Sequence, residues 1–219
     1  MNADDFSPES INKTAFFTGH RLISETEKPM IRRQLSRCIK EAYDSGYRRF
    51  FCGCALGFDT IAAEETIRLR KLYPDIMLLL ALPCGTQADR WSAQDQETYR
   101  RILELADEKT VLSPFYYRGA MLTRNRYMAD RSSLCICWLR NMRGGTASTV
   151  RYAMLLGGIR IINLAVPEDT PPDRMKEKTW NFMYISPSAG KNAGIAPLRL
   201  LQGRRLIFRN IRTCCSGRH

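Results

Sequence analysis

Apolar residues recur along this chain in two alternating rhythms. Short runs with few polar interruptions read as strands: Thr14-Ala15-Phe16-Phe17-Thr18, residues 48–52, Ile76–Leu82, Thr110–Leu112, Ser133–Leu139 and Ile159–Leu164. Between them lie segments whose apolar positions follow a helical period. One covers 28–45 with Met30, Ile31, Leu35, Cys38, Ile39 and Ala42, and Gly46 closes it. A second covers 59–72 with Ile61, Ala62, Ile67 and Leu69, and a third covers 93–106 with Ile102, Leu103 and Ala106. Residues 118–131 read as an arginine-rich helix, and Thr146–Leu156 as a helix ending at Gly157-Gly158. Strands that alternate with helices predict an α/β, Rossmann-like, three-layer domain with a mostly parallel sheet flanked by helices. Ile76–Leu82 is apolar without interruption, as expected of a strand covered on both faces.

The alternation begins near residue 13 and stops near 166, where Pro167, Pro171 and Pro172 follow. This divides the chain into an N-terminal extension (1–12), a Rossmann-like domain (13–166) and a C-terminal tail (167–219). The tail changes how the charge is read. The 219 residues carry a net charge of +12, but residues 170–219 hold ten Lys/Arg against two Asp/Glu. The domain itself is close to neutral. A basic tail of this kind can hold nucleic acid or acidic lipid without specificity, and it reads first as a solvated, poorly ordered end.

Hydrophobic content of 44% and charged content of 26% suit a soluble globular protein. No apolar stretch approaches the length of a membrane span. The polar, acidic start of the chain does not resemble a secretory signal, so a cytoplasmic location and no membrane partner are expected. Eight cysteines form no disulfide framework. Cys52/Cys54 and Cys135/Cys137 have the two-residue spacing of one strand face rather than that of a metal site, so buried thiols and no metal are expected. Cys84, after a strand and beside Gly85, is the one candidate for reactivity, against the plainer reading of a loop cysteine.

Six polar or glycine-rich stretches each follow a strand: Thr18-Gly19-His20-Arg21, Gly53–Asp59, Leu82-Pro83-Cys84, Ser113-Pro114, Arg143–Thr146 and Asn163. In an open parallel sheet, ligands lie outside the carboxyl ends of the strands. Gly53-x-x-x-Gly57-x-Asp59 leaves a strand and enters a helix, which is where a backbone can approach a phosphate. Asp59 can cap that helix or bind a ribose hydroxyl. Gly144-Gly145-Thr146-x-x-Thr149 has the same context, with Thr146 able to act as a plain cap and both threonines able to offer hydroxyls. Arg124 and Asn125, in Arg124-Asn125-Arg126, can supply a phosphate fork or form a solvated face. His20 stands beside Arg21 where a phosphate or base could be met, or is incidental.

These residues resemble the SLOG superfamily. The resemblance rests on Gly53-x-x-x-Gly57-x-Asp59-Thr60-x-Ala62-Ala63, on Arg124-Asn125-Arg126-x-x-Ala129, and on Gly145-Thr146-x-x-Thr149-Val150-Arg151. That Rossmann-like group contains the DNA-processing protein DprA and the cytokinin-activating LOG enzymes. Thr18-Gly19-His20-Arg21 and Gln87-x-x-x-Trp91 look most like its YpsA branch. The match covers about residues 13–165.

The resemblance implies binding of a nucleotide or nucleotide-derived ligand such as an ADP-ribose-like compound, in a sensor role. Alternatives are DprA-like binding of single-stranded DNA and nucleotide N-glycosidase or phosphoribohydrolase activity. Self-association is compatible with each. By position the ligand loops would be Gly19–Arg21, Gly53–Asp59 and Gly144–Thr149, with Arg124 and Asn125 nearby. The LOG turn carries a catalytic glutamate in P-G-G-x-G-T-x-x-E, whereas this chain reads Arg143-Gly144-Gly145-Thr146-Ala147-Ser148-Thr149-Val150-Arg151. That departure argues against hydrolysis, for which Asp59 and Glu64 would be the nearby carboxylates. For single-strand binding, Tyr116, Tyr117 and Tyr127 are the candidate stacking residues.

Overall fold

The computed structural model describes residues 7–165. Residues 1–6 of the N-terminal extension and the whole of the basic tail lie outside the described residues. The order of elements is α1 (Pro8–Ile11), β1 (Thr14–Gly19), α2 (Lys28–Asp44), β2 (Arg49–Cys52), α3 (Phe58–Arg70), β3 (Met77–Leu82), α4 (Ala93–Leu105), β4 (Glu108–Val111), α5 (Ala120–Ala129), β5 (Leu134–Trp138), α6 (Gly144–Leu156) and β6 (Arg160–Asn163).

The six strands form one sheet in the order β4-β3-β2-β1-β5-β6, and every pairing is parallel. The predicted α/β architecture with a parallel sheet is therefore present. Alternation along the strands sends side chains to two separate cores. Ala15, Phe17, Phe50, Leu78, Leu80 and Ile136 pack with Ile31, Leu35 and Ile39 of α2 and with Ile61 and Ala62 of α3. Phe16, Phe51, Leu79, Cys135 and Cys137 pack on the other face with Met128 of α5 and Val150 of α6. The central strands are covered on both sides and the edge strand β4 is alternately exposed, which is why the inner strands read as continuous apolar runs.

Three details differ from the pattern. Met30, at a helical core position, is 36% exposed, because the buried stripe of α2 begins at Ile31. The arginine-rich helix is shorter than 118–131, since Gly119 (φ +104°) holds the turn that precedes Ala120. Helix α6 begins at Gly144, two residues before Thr146.

The strand order reverses direction between β1 and β5. The chain grows outward from β1 through β2, β3 and β4, then returns across the sheet to place β5 on the other side of β1. Such a switch in strand order marks the carboxyl edge at which open α/β sheets take their ligands. The β1 loop carries Gly19–Arg21, and the β5 loop carries Arg140–Gly144.

Candidate functional site

The sequence marks five glycines as places of close backbone approach, and the structure separates them into two kinds. At three of them the space of the missing side chain is filled by the protein. A Cβ on Gly19 would lie 2.4 Å from the Phe58 side chain, and one on Gly57 (φ +81°) would lie 2.2 Å from the Arg21 carbonyl oxygen. A Cβ on Gly53 would lie 1.2 Å from Nη1 of Arg124. At Gly144 (φ +83°) and Gly145 nothing stands within 4 Å of the built Cβ, and both residues are exposed.

The two glycine-opened helices differ in the same way. At α3, the Phe58 N–H donates to the His20 carbonyl (3.1 Å) and the Thr60 N–H to the Ala55 carbonyl (3.1 Å). Its first turn is thus largely satisfied from within. At α6, the N–H groups of Gly144, Gly145 and Thr146 meet no acceptor among the described residues. Arg143 holds the cap position without a side-chain cap bond. Three aligned donors at the positive end of a helix make an anion-binding geometry.

Asp59 does not cap its own helix. Its carboxylate turns back beneath the 53–57 loop and accepts the Ala55 N–H at 3.4 Å. Oδ2 also lies 3.6 Å from Nη1 of Arg124, with both side chains nearly buried. Burial pushes the Asp59 carboxyl up to about 6, against the attraction of Arg124 and the Ala55 N–H. At 3.6 Å the ion pair is too long for a hydrogen bond, so desolvation outweighs it.

Arg124 is 4% exposed, and its Nε and Nη1 have no hydrogen-bond partner. The guanidinium passes from α5 across the carboxyl end of β2, through the space that glycine leaves at position 53. Gln87 pins the same loop from above β3. Its amide nitrogen donates to the carbonyls of Gly53 (3.3 Å) and Cys54 (3.0 Å), and its Oε1 is buried without a partner. These bonds hold Cys54 at φ +50°, a conformation a cysteine adopts only under constraint.

His20 joins the β1 and β5 loops. Its own N–H donates to the Trp138 carbonyl at 3.3 Å, and its Nε2 accepts the Arg140 N–H at 3.0 Å. Accepting at Nε2 requires the neutral ring, and burial followed by the nearby Arg140 charge lowers the imidazole below its ordinary range. Arg140 pairs with Glu27. Arg21 in the β1 loop and Arg143 in the β5 loop are exposed.

Asn125 and Thr149 are engaged with each other. Asn125 Nδ2 donates to Thr149 Oγ1 at 2.6 Å, and that hydroxyl donates to the Gly145 carbonyl at 2.9 Å. The pair locks α5 to the first turn of α6 and supports the glycine end from below. Thr146 sits inside that turn rather than at its cap.

The other chemical candidates resolve into structure. Cys84 is fully buried, as are both sulfur pairs, and burial pushes Cys54 up to about 12. Thiols so placed are unreactive. Glu64 is held by Arg32 (2.5 Å) and Arg101 (2.7 Å), tying α3 to α2 and α4. Tyr127 packs edge-on to Phe51 in the core, with Arg131 over its ring. Asn163 uses both ends of its amide on the Leu139 backbone. Sequence patterning gave no weight to Gln87 beyond the family resemblance. A single buried amide within a polar stretch leaves no periodic trace.

Among the described residues, no helix is long and apolar enough to cross a membrane. No cluster of His, Cys, Asp or Glu among them could hold a metal.

Both the sequence and the fold are similar to those of known proteins. The chain is 32% identical over 117 residues to the SPβ prophage-derived protein YoqJ of Bacillus subtilis, covering 48% of this chain and 68% of that one. It is 26% identical over 105 residues to a UPF0398 protein of Ligilactobacillus salivarius, covering 47% and 57%. The fold is similar to that of DNA processing protein A from Helicobacter pylori, with a TM-score of 0.51 and 18% identity over 78% of this chain and 74% of that one. Residues 22–155 match the YpsA family model, described as the YspA SLOG family. That span runs from the β1 loop to the end of α6, and with it the chain belongs to the YpsA family of the SLOG superfamily.

Proposed function

We propose that this domain binds a nucleotide or nucleotide-derived ligand through its phosphate, at the N-terminus of α6. The observation that carries the reading is the set of three unpaired N–H groups of Gly144, Gly145 and Thr146, with open space beside both glycines, at the strand ends where the order switches between β1 and β5. Arg21 and Arg143 add positive charge in the β1 and β5 loops, and the base and ribose would lie along the strand ends toward β2. The reading is one of binding. Of the two carboxylates nearest the site, Glu64 is committed to two arginines and Asp59 faces Arg124 beneath its loop.

Thermal unfolding with AMP, ADP-ribose and adenosine tests it. The two phosphates should raise Tm and the nucleoside should not, since only a ligand of the folded state stabilises by mass action. Gly145→Asp, which puts a carboxylate where the phosphate would sit, should abolish the shift. Equal shifts in wild type and Gly145→Asp, or none with either phosphate, would overturn the reading.

A second reading has its own support. The Helicobacter pylori protein of similar fold is described by its single-stranded DNA binding mode, and this chain presents exposed aromatic residues at the same edge of the sheet as its glycine loops.

A further inference from the structure

The loop between β4 and α5 is unlike the others at this edge. Phe115 is 74% exposed, Tyr116 61% and Tyr117 45%. Three consecutive aromatic side chains open to solvent form a large exposed apolar patch, which on a soluble domain marks a binding surface. The loop is also held in place. Ser113 Oγ donates to the Phe115 carbonyl (2.7 Å), and the Tyr117 hydroxyl bonds to Thr123 of α5 (2.9 Å). The Pro114 carbonyl lies close to Gly85 of the β3 loop. These rings are therefore presented by a tethered loop.

Because the sheet is parallel throughout, this loop leaves the same edge as the glycine loops. β4 stands three strands from β1 and four from β5, about 14 and 19 Å at the usual strand spacing. A mononucleotide anchored at α6 cannot reach the aromatic loop, whereas a strand of about four nucleotides can. Exposed arginines stand at both ends, Arg118 after β4 and Arg143 after β5, and in two loops between them, Arg90 after β3 and Arg21 after β1. Aromatic faces that stack on bases, with cations spread over the same edge, are what a single strand requires and a small ligand does not.

We propose that Phe115, Tyr116 and Tyr117 form a base-stacking platform, and that the ligand spanning this edge is a short single-stranded nucleic acid. It would be anchored by one phosphate at Gly144–Gly145 and stacked at its far end on the β4 loop. The proposal rests on the phosphate site of the preceding reading and extends it by length. It fits a nearly neutral domain, since the footprint is a few nucleotides rather than a long groove.

Fluorescence anisotropy with labelled thymidine oligonucleotides of two, four, six and twelve residues tests the proposal on the full-length chain. Wild type, Phe115→Ala/Tyr116→Ala and Gly145→Asp are compared at two salt concentrations, with the AMP thermal shift measured on the same samples. Affinity should rise steeply between two and about six nucleotides and then level. The double alanine variant should lose about tenfold or more on the six-residue strand while keeping its AMP shift, because both rings are exposed and remote from α6. Gly145→Asp should lose both responses.

Oligonucleotide binding unchanged in the double variant would overturn the platform and leave the nucleotide reading standing. So would a dimer that dissociates in that variant with no change in oligonucleotide affinity, since the aromatic residues would then be covered by a second copy. An absent AMP shift in wild type would remove the phosphate site and the proposal with it.

Discussion

The guanidinium of Arg124 occupies the space that a side chain at position 53 would need. A Cβ there would lie 1.2 Å from Nη1 and 2.2 Å from Cζ. Glycine at 53 is thus the condition for Arg124 to cross the end of β2 and face Asp59.

Gly53→Ala should therefore act through Arg124. Displacing the guanidinium leaves Asp59 buried without its counter-charge, and breaking a buried pair costs about 3–5 kcal/mol. Arg124→Ala removes the same pair and vacates the space. The two substitutions together should cost much less than the sum of the singles, which urea unfolding of a double-mutant cycle measures. Additive costs would show that Gly53 matters for some other reason.

Asp59 gives stability a pH dependence of unusual sign. Its carboxyl is raised to about 6 in the folded chain, against an ordinary value of about 4 when unfolded. Between those values the folded state retains a proton that the unfolded state has released. The contribution of Asp59 is thus most favourable below pH 4, falls as pH rises through 6, and is level above. Asp59→Asn removes this slope. From pH 4 to pH 7 the variant should gain on wild type by on the order of 2–3 kcal/mol in urea melts, whatever constant offset the amide brings at Arg124. A parallel pair of pH profiles would place the carboxyl in a more solvated setting.

Gly145 is the glycine that packing does not require. Its backbone is within reach of other residues, and a methyl group would touch nothing within 4 Å. Gly145→Ala should raise stability by about 0.4–1 kcal/mol through a stiffer unfolded chain and better helix propensity. The same methyl would stand between the helix N-terminus and a phosphate, so nucleotide affinity should fall as Tm rises. Calorimetry and ligand titration of one variant separate the two effects. Affinity that holds while stability rises would mean that no ligand approaches this backbone.

The fold was legible because its central strands are apolar on both faces while its helices carry apolar stripes, two periods that do not imitate each other. The parallel sheet follows from their alternation, and the candidate edge follows from the sheet. The roles of individual residues were not legible. Gly19, Gly53, Gly57 and Gly145 look alike in a sequence, and only the neighbours brought by Phe58, Arg124 and Arg21 distinguish filled space from open space. Of the two roles open to Thr146 in the sequence, the plain cap does not apply, because α6 starts two residues earlier, at a glycine whose positive φ carries no sequence signal beyond glycine itself. Gln87 and the Asn125–Thr149 bond depend on contacts between distant segments, which one-dimensional patterning does not record.

The single imidazole bridging β1 and β5 also ties events at the two helices together. His20 takes the Arg140 N–H on its ring and the Phe58 N–H on its carbonyl, so the β5 loop and the first turn of α3 hang from one residue. A ligand that stiffens the β5 loop will slow amide exchange at Phe58, on the far side of β1 and beyond the ligand's own contacts.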